Sequence, residues 1–517
     1  MIALATVPLG EVFTVYQNLS NFTQTMLMVA QFMLALVVLA LFIGMLWLLV
    51  LYVIDKRQTQ HTIRRNFPVI GRFRYSFEHL GEFFRQYFYA MDREEMPFNR
   101  AQRSWVYRAA KDVDRTIAFG STRDLTKPGT IIFANATFPP QDDEQQALTP
   151  VVIGAGCRQP YQTARLFHIS AMSYGALSPV AITALSRGAQ LAGCWLNTGE
   201  GGLSSYHLSG GCDLVFQIGT AKYGVRDRDG KLNHLRLQEL AAMPAVKMFE
   251  VKLSQGAKPG KGGILPAAKV NHEVATIRGI PQGQDSISPN RHTDINNTEE
   301  LLDFIELVRE LTGKPTGIKL VLGEPSWLDE LIAAIQARGV ASAPDFITLD
   351  SADGGTGAAP QPLMDYVGLK LSESLPILVD KLVAADLKQR IKVIASGKMI
   401  NPADVAWALA VGADFAVSAR GFMFALGCIQ AMQCNKNTCP TGITTSNTDL
   451  QRGLDPTDKG VRVANYQKYL EYGVGLIAHS CGAHDARQLQ RQHARMVTAQ
   501  GHSVPLSELY AKPHSEH

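Results

Sequence analysis

Residues 317–355 read GIKLVLGEPSWLDELIAAIQARGVASAPDFITLDSADGG, two short apolar runs separated by a longer amphipathic segment. The runs at 317–322 and 345–352 are typical of buried parallel strands. Residues 325–339 between them repeat apolar side chains at helical spacing and end at a glycine. The stretch therefore predicts one β-α-β unit, with polar and glycine residues directly after its second strand.

The same alternation continues on both sides of this unit. Eight candidate strands lie at 166–172, 194–200, 246–254, 285–290, 317–322, 345–352, 391–397 and 415–421. Parallel strands that alternate with helices predict an α/β fold, and eight of them favour a (β/α)8 TIM barrel over an open sheet. The stretch 203–245 fits this pattern least well and is predicted to be an insertion after the second strand.

Polar and glycine-rich segments follow these strands: SYGALS, GEGG, SQGAKPGKGG, SPNRH, DGGTGAAP, SGK and SARG. Each one could be an ordinary turn. However, the carboxyl ends of barrel strands meet at one rim, where barrel enzymes place their active sites. The shared position of the segments predicts a functional site at that rim.

Composition excludes several classes of protein. The chain has 517 residues, of which 46% are hydrophobic and 19% charged, and its net charge is +4. That balance excludes intrinsic disorder, and 50 basic against 46 acidic residues do not indicate a nucleic-acid partner. Seven cysteines, an odd and mostly scattered set, exclude a disulfide scaffold.

The N-terminal region is unlike the remainder. Residues 26–54 read MLMVAQFMLALVVLALFIGMLWLLVLYVI, and a bilayer core needs about 20 such residues in a helix. The first basic residue is Lys56, so residues 1–25 are expected outside and the rest in the cytoplasm, in a single-pass protein of the inner (cytoplasmic) membrane. The alternatives fit less well, because a signal peptide has a basic start and a core helix usually keeps a polar stripe.

Residues 55–125 are rich in arginine and aromatic residues and form a predicted helical neck. Such a composition suits a helix on a membrane surface, and it equally suits a neck packed on the next domain. The barrel is expected at 126–450, followed by a C-terminal helical extension and tail at 451–517.

Cys428, Cys434 and Cys439 form a C-x5-C-x4-C run with Pro440 directly after it. Closely spaced thiolates followed by proline are typical of iron–sulfur ligands. Structural zinc normally needs four ligands, so three cysteines favour a three-iron cluster. The alternative is three buried structural cysteines.

Six ordered motifs together resemble the synthase domain of glutamate synthase over residues 125–480. They are MSYGALSPVAITALSRGA, NTGEGG, VKLSQGAKPGKGGILPAAKV, IKLV, SADGGTGAAP and GCIQAMQCNKNTCPTGITT. The resemblance implies an FMN-containing barrel with a [3Fe-4S] cluster that reductively aminates 2-oxoglutarate with ammonia through an imino acid. The family's glutaminase domain and its C-terminal β-helical domain have no counterpart here, so a stand-alone, membrane-anchored member is expected.

The resemblance also assigns residues to FMN. It places Met172, Ser173 and Gly175 near the flavin ring or ribityl chain, and Lys319 at the flavin edge. The phosphate is expected at three segments, formed by Asp353, Gly354, Gly355, Ser396, Gly397, Lys398, Ala419, Arg420 and Gly421. The family usually has Asp-Gly-Gly at 396–398, so this sequence replaces a carboxylate there.

For the substrate, the resemblance implies catalytic roles for Glu200, Lys252 and Gln255, with Glu200 as proton donor to the imine nitrogen. Lys258, Arg278 and Ser288 would bind the carboxylates of the 2-oxo acid. Two departures put 2-oxoglutarate itself in question. The loop usually written G-E-G-G-Q-L-P is GKGGILP at 260–266, and S-P-P-P-H-H-D-I is SPNRHTDI at 288–295.

The leading hypothesis is therefore an oxidoreductase acting on CH–NH2 donors, with electrons passing from the cluster to FMN. No GxGxxG motif follows a strand, so a ferredoxin or a membrane carrier is the expected electron donor, and homo-oligomerisation stays open. The alternatives are a membrane electron-transfer flavoprotein that reacts with quinone or a partner protein, a related flavin-dependent amine- or glutamate-transforming enzyme, and a scaffold with a degenerate site.

Overall fold

The computed structural model describes residues 9–113, 116–144 and 146–510. The chain forms two compact units, Met1–Pro97 and Phe98–His517. The predicted neck at 55–125 is shared between them, because the helix Arg100–Ala110 belongs to the second unit.

The first unit is helical in its described part. Its main element is the helix Leu9–Arg57, and the portion Gln17–Arg57 is long and apolar enough to cross a membrane, with a mean hydropathy of 3.0 in its most apolar window. None of that window is buried. The short helix Thr62–Asn66, the amphipathic helix Ile70–Phe84 and a π-helical turn at Arg85–Tyr89 follow.

The second unit contains a closed barrel of eight parallel strands. In chain order they are β1 (Phe167–Ile169), β2 (Leu196–Asn197), β3 (Leu214–Ile218), β4 (Val246–Lys252), β5 (Thr316–Val321), β6 (Phe346–Asp350), β7 (Lys392–Ser396) and β8 (Phe415–Ser418). The barrel closes through the pairing of β8 with β1, in which Val417 lies opposite His168. The predicted TIM barrel is confirmed.

One predicted strand and the predicted insertion are wrong. Within 285–290, only Ser286–Ile287 is extended, and it pairs antiparallel with Ile264–Leu265 outside the barrel. The missing barrel strand is β3, inside the stretch that was expected to be an insertion. All five residues of β3, LVFQI, are buried, whereas DSISPN lacks the continuous apolar run of a strand covered on both faces.

Helices surround the barrel. The longer ones are Pro179–Ala192, His234–Ala242, Thr298–Thr312, Ser326–Arg338, Leu371–Ala384, Pro402–Val411 and Pro456–Ser480. Shorter helices are Ser205–Leu208, His272–Arg278, Gln361–Tyr366, Arg420–Leu426, Thr448–Gln451 and Leu506–Leu509, with 3-10 turns at Asp142–Glu144, Ala267–Lys269, Val340–Ser342, Ala486–Gln488 and Arg491–His493. Side chains of Ser178, Asn297 and Asn401 cap the starts of three of the longer helices.

Besides the pair Ile264–Leu265 and Ser286–Ile287, two small sheets lie outside the barrel in the described part of this unit. A three-stranded antiparallel sheet contains Ile131–Phe133, Ala494–Val497 and Ser503–Pro505. The hairpin Val151–Ile153 and Tyr161–Thr163 packs Ile153 and Tyr161 against barrel residues such as Trp195 and Phe415. The hairpin covers the amino ends of the barrel strands. The open end of the barrel is therefore the rim formed by the carboxyl ends of the strands.

Candidate active site

The middle of the barrel is polar. Glu250 on β4 is 3% exposed, and its carboxylate accepts three hydrogen bonds from other strands. The donors are Asn197 Nδ2 at 2.8 Å, Gln217 Nε2 at 2.7 Å and Thr348 Oγ1 at 2.6 Å. None of these four residues was assigned a role from the sequence. The available signal was a polar residue inside each otherwise apolar strand, since buried polar groups need partners.

Lys319 on β5 lies beside this network, as a buried cation. Its Nζ is 3.4 Å from Oδ2 of Asp350 at the end of β6. Although burial opposes it, the carboxylates of Asp350, Glu250 and Glu200 raise the pKa of Lys319. Asp350 also accepts hydrogen bonds from Gly256 N at 3.0 Å and Ser396 Oγ at 2.9 Å. Lys319 is therefore held protonated inside the barrel mouth.

A second cluster of charges lies next to the first, on the loops after β2 and β4. Nζ of Lys252 is 2.8 Å from Oε2 of Glu200. Burial raises the pKa of Glu200, but the cations Lys252, Lys258 and Arg278 together lower it. The structure thus brings together four of the predicted substrate residues, as three cations around one carboxylate. That excess of positive charge is suited to an anionic ligand.

Lys258 differs from the other cations of this cluster in having a strongly lowered pKa. It is 4% exposed, and burial together with the charge of Lys252 lowers its pKa to about 8. Gln255 is half-buried at the start of the same turn, where its carbonyl accepts the Lys258 N–H at 3.4 Å. Lys258 is therefore a group that can hold or release a proton near neutral pH.

Arg278 is held rigidly at the end of the helix His272–Arg278. Nη1 donates to Ser286 Oγ at 3.1 Å and Nη2 to the carbonyl of Tyr174 at 3.4 Å. The guanidinium carbon lies 5.1 Å from the centroid of the Tyr223 ring. Among the described residues, its buried Nε has no hydrogen-bond partner, which leaves a donor for a ligand.

His292 supplies a second buried nitrogen that has no hydrogen-bond partner among the described residues. Its Nε2 donates to the carbonyl of Lys252 at 3.0 Å, while in the described part of the chain Nδ1 has no partner. Burial and the charge of Lys222 lower the pKa of His292 to about 4, so the ring is neutral at pH 7. Sequence analysis quoted this histidine within a motif without assigning it a role.

The loop at 260–266 passes in contact with Glu200. Gly263 accepts a hydrogen bond from Ser288 N at 2.9 Å. A Cβ at Gly263 would lie 2.1 Å from Oε1 of Glu200, and one at Gly262 would lie 1.9 Å from the carbonyl oxygen of Ser288. Of the two residues in this loop that depart from the family pattern, Lys261 is exposed and Ile264 is half-buried. A side chain at 262 would therefore force the loop away from the backbone of Ser288, and one at 263 would displace the Glu200 carboxylate.

The loops after β1 and β2 pack closely on each other. The carbonyl of Met172 accepts a hydrogen bond from Nε2 of the buried His207 at 3.2 Å. A Cβ at Gly199 would lie 2.7 Å from the backbone nitrogen of Ser173. Gly175 has a φ of 94°, in the region that favours glycine. Met172, Ser173 and Gly175 are thus on one backbone surface at the rim.

The three segments predicted to bind phosphate also converge. A Cβ at Gly355 would lie 2.6 Å from Nε of Arg420, and one at Gly397 would lie 2.3 Å from Cβ of Ser351. Lys398 Nζ is 3.0 Å from Oδ2 of Asp353. These contacts bring the loops after β6, β7 and β8 together.

Arg420 and Gly421 are adjacent in the chain but have different structural roles. The Arg420 guanidinium lies 4.6 Å from the centroid of the Phe98 ring, and within the described residues it has no hydrogen bond or ion pair, so it is available to an anion. At Gly421 a Cβ would lie 2.3 Å from the hydroxyl of Tyr466. Packing alone therefore explains why residue 421 is glycine, whether or not a phosphate binds there. The same holds for Gly354, where a Cβ would lie 2.8 Å from the carbonyl of Ser351.

The three predicted cluster ligands lie on one unusual loop after β8. Gln430, Met432 and Asn437 all have φ between 52° and 60°, which non-glycine residues rarely adopt. The buried Lys269 holds the loop, since its Nζ donates to the carbonyls of Cys434 at 2.7 Å and Thr444 at 2.6 Å. Across the described ranges, no group of three or more His, Cys, Asp or Glu is placed to hold a metal ion.

Comparison with known proteins identifies relatives of this chain. Residues 125–484 match the conserved region in glutamate synthase. The chain is 41% identical to the glutamate synthase large subunit-like protein YerD of Bacillus subtilis (strain 168), over 89% of this chain and 94% of that protein. It is 32% identical to the archaeal-type glutamate synthase (NADPH) of Thermotoga maritima, over 67% of this chain and 65% of that protein's length.

Among solved structures, the G81A mutant of an active chimera of (S)-mandelate dehydrogenase aligns with a TM-score of 0.47 and 15% identity, over 76% of this chain and 98% of that chain. The family match spans the whole barrel and the cysteine loop, and YerD is similar over nearly its entire length. The chain belongs to the glutamate synthase family.

Proposed function

We propose that this chain is an FMN-containing oxidoreductase that reductively aminates a 2-oxo acid with ammonia, with 2-oxoglutarate as the first candidate. The observation that carries the proposal is the cluster of Lys252, Lys258 and Arg278 around Glu200 at the barrel rim. Three cations against one carboxylate favour a dianionic ligand, because two carboxylates need two cationic partners. The names of the relatives support the same reaction.

The residues present fit FMN. Arg420 is available to a phosphate, and the glycines at 354, 355 and 397 keep the neighbouring backbone free of side chains. Lys319 supplies a fixed cation near the centre of the mouth, and Met172, Ser173 and Gly175 line the adjacent rim. When bound there, FMN would supply the hydride for reduction of the imine.

The side chains of the chain would position the substrate and control its proton. Arg278 and Lys258 would bind the carboxylates of the 2-oxo acid. Glu200 was predicted to donate the proton to the imine nitrogen, but its ion pair with Lys252 keeps it ionised. Lys258, whose pKa is about 8, is the better donor. Glu200 instead holds the Lys252 ammonium in place.

The reaction is tested by stopped-flow oxidation of the pre-reduced protein. We expect 2-oxoglutarate plus ammonium to reoxidise the flavin and to form glutamate, and a panel of other 2-oxo acids to react more slowly. Ammonium without a 2-oxo acid is the matched control. Reoxidation by added quinone, with no reaction toward any 2-oxo acid, would instead favour the electron-transfer flavoprotein.

A [3Fe-4S] cluster on Cys428, Cys434 and Cys439 is part of the proposal. The donor set would suit such a cluster, because cysteine thiolates hold iron–sulfur clusters and the three cysteines lie on one loop that Lys269 fixes. We expect bound iron to be lost in Cys434→Ser and retained in Cys481→Ser, whose cysteine is buried outside the loop. Equal iron content in both variants would contradict the ligand assignment.

The remaining parts of the proposal concern location and partners. The helix Gln17–Arg57 supports a single-pass anchor in the inner membrane, with the barrel in the cytoplasm and residues 1–25 outside. The proposed domains keep the boundaries predicted from the sequence, at 26–54, 55–125, 126–450 and 451–517. A ferredoxin or a membrane carrier would supply the electrons. Protease protection of oriented membrane vesicles would test the orientation.

A further inference from the structure

The helix Ile70–Phe84 exposes a continuous apolar surface. Large side chains recur at spacings of three and four, and the aromatic face that they form consists of Ile70 (74% exposed), Phe73 (59%), Phe77 (66%), Leu80 (45%) and Phe84 (45%). Isolated exposed apolar residues are ordinary, but a contiguous stripe along four helical turns marks a contact surface.

The opposite side of the same helix is already packed within its unit. A Cβ at Gly71 would lie 2.9 Å from the carbonyl of Ile63, and the Tyr75 ring is covered by Arg64 at 4.6 Å and His61 at 5.2 Å. At 100° per residue these positions fall away from the aromatic face. The helix is therefore fixed by one side, and the aromatic face is its free side.

The start of this helix is tied to the end of the apolar helix. The buried carboxylate of Asp55 accepts hydrogen bonds from Val69 N at 2.9 Å, Arg72 Nε at 2.8 Å and Arg72 Nη2 at 2.7 Å. Asp55 is the first charged residue after the apolar run 26–54. If that run spans a bilayer, this joint holds the aromatic face at the level of the headgroups.

The charge around the joint identifies the kind of surface. Between residues 55 and 85 the chain has seven basic residues against three acidic ones: Lys56, Arg57, Arg64, Arg65, Arg72, Arg74 and Arg85 against Asp55, Glu78 and Glu82. Arg74 and Arg85 are exposed and flank the aromatic face. Basic residues near an anionic leaflet are attracted to it.

We propose that the aromatic face lies in the interfacial region of the bilayer that the apolar helix enters, with the flanking arginines on anionic phospholipid headgroups. The proposal rests on the membrane anchoring proposed above. A second copy of the chain would also cover an apolar stripe, but the excess of arginine beside the stripe repels an identical surface and attracts anionic lipid.

The test places tryptophan on the aromatic face and at a position about 100° around the helix from it, in the full-length protein reconstituted in vesicles of phosphatidylcholine and phosphatidylglycerol. Phe77→Trp reports on the aromatic face, and Glu78→Trp, at the next exposed position, is the matched control. With dibrominated phosphatidylcholine we expect the added emission of Phe77→Trp to be blue-shifted and quenched, and that of Glu78→Trp to be less shifted and less quenched.

The possible outcomes distinguish failure of the proposed surface contact from failure of the proposed membrane anchor. Equal quenching of the two variants, or a blue shift at Phe77→Trp without quenching, would overturn the proposal, and the second result would indicate a protein contact. Trp47, within the apolar helix, reports on the anchor through the loss of quenching in Trp47→Phe. If Trp47 is not quenched while Phe77→Trp is, the surface contact stands and the anchor fails.

Discussion

Lys319 is surrounded by the carboxylates of Asp350 and Glu250 inside the barrel. Replacing it by glutamine leaves both carboxylates buried without their cation, and breaking a buried ion pair costs about 3–5 kcal/mol. We expect Lys319→Gln to lower the free energy of unfolding by that amount in chemical denaturation. Lys381→Gln, which breaks an exposed pair with Asp329, is the control and should cost at most about 1 kcal/mol. Similar losses in both variants would contradict the buried pair.

The depressed pKa of Lys258 predicts a dependence of turnover on pH. Above a pKa of about 8, Lys258 loses both the charge that binds a carboxylate and the proton that an imine needs. We expect the rate of flavin reoxidation by 2-oxo acid and ammonium to fall as pH rises through about 8. Lys258→Arg, which stays charged, should remove the charge-dependent part of this fall. An unchanged profile in Lys258→Arg would assign the transition to another group.

Lys258 also links pH to stability. Its pKa is 10.5 unfolded and about 8 folded, so between these values the unfolded chain binds more protons and stability rises with pH. Below about pH 8 the buried ammonium is a cost. We therefore expect Lys258→Met to increase the free energy of unfolding at pH 7 by up to about 3 kcal/mol, at about 1.4 kcal/mol per pKa unit. The gain should shrink above pH 8, and a constant gain would refute its electrostatic origin.

Individual charged residues were predictable from motifs, whereas their partners were not. Glu200, Lys252, Lys258 and Arg278 were identified from their sequence context, and the structure brings them together. Glu250 and His292 were not assigned a role, because a polar residue in a strand shows its function only when the partners from other strands are known. Sequence also could not show that Lys252 keeps Glu200 ionised, since that depends on a 2.8 Å contact between two loops.

At the scale of elements, two helices cross at a glycine. A Cβ at Gly188 in Pro179–Ala192 would lie 2.3 Å from Cγ1 of Val463 in Pro456–Ser480. Gly188→Ala overfills this crossing, and overpacking costs about 1–3 kcal/mol. Gly475→Ala in the second helix meets nothing within 4 Å and should stabilise by up to about 1 kcal/mol. Denaturant midpoints of the two variants should therefore move in opposite directions, and a shared direction would contradict the close crossing.

Periodicity predicted elements well where the chain alternates regularly. In the stretch quoted first, the predicted runs became β5 and β6, and the helix between them is Ser326–Arg338. The failure at β3 has a specific cause: glycines and a cysteine precede LVFQI, and a long loop separates it from the next helix, His234–Ala242, so the alternation is hidden. Such a strand is identified only from its pairing: β3 pairs with both β2 and β4, and the barrel would not close without it.

At the scale of the whole molecule, membrane attachment should have two parts. Deleting residues 1–54 removes the apolar helix but retains Asp55 and the aromatic face. We expect this protein to leave phosphatidylcholine vesicles yet float with phosphatidylglycerol vesicles at low salt. At 1 M salt, where the screening length is about 3 Å, binding should weaken. Adding Phe73→Glu and Phe77→Glu should abolish flotation, while Glu78→Gln should not.

The result that would contradict this division is a truncated protein that remains soluble with both kinds of vesicle. In that case the apolar helix alone would account for attachment. Persistent binding to uncharged vesicles would contradict the role assigned to the basic residues.

Overall architecture was the most predictable level, because the barrel, the apolar helix and the cysteine loop each occupy a separate, compositionally distinct part of the chain.

The tight passage of the 260–266 loop past Glu200 restricts how this family could diversify. A side chain at Gly262 or Gly263 would collide with Ser288 or Glu200, whereas Lys261 is exposed and Ile264 is half-buried. Inherited variation can therefore accumulate at 261 and 264 while the two glycines between them stay fixed. A directed-evolution library for new 2-oxo acids should accordingly randomise Lys261 and Ile264 and leave the intervening backbone untouched.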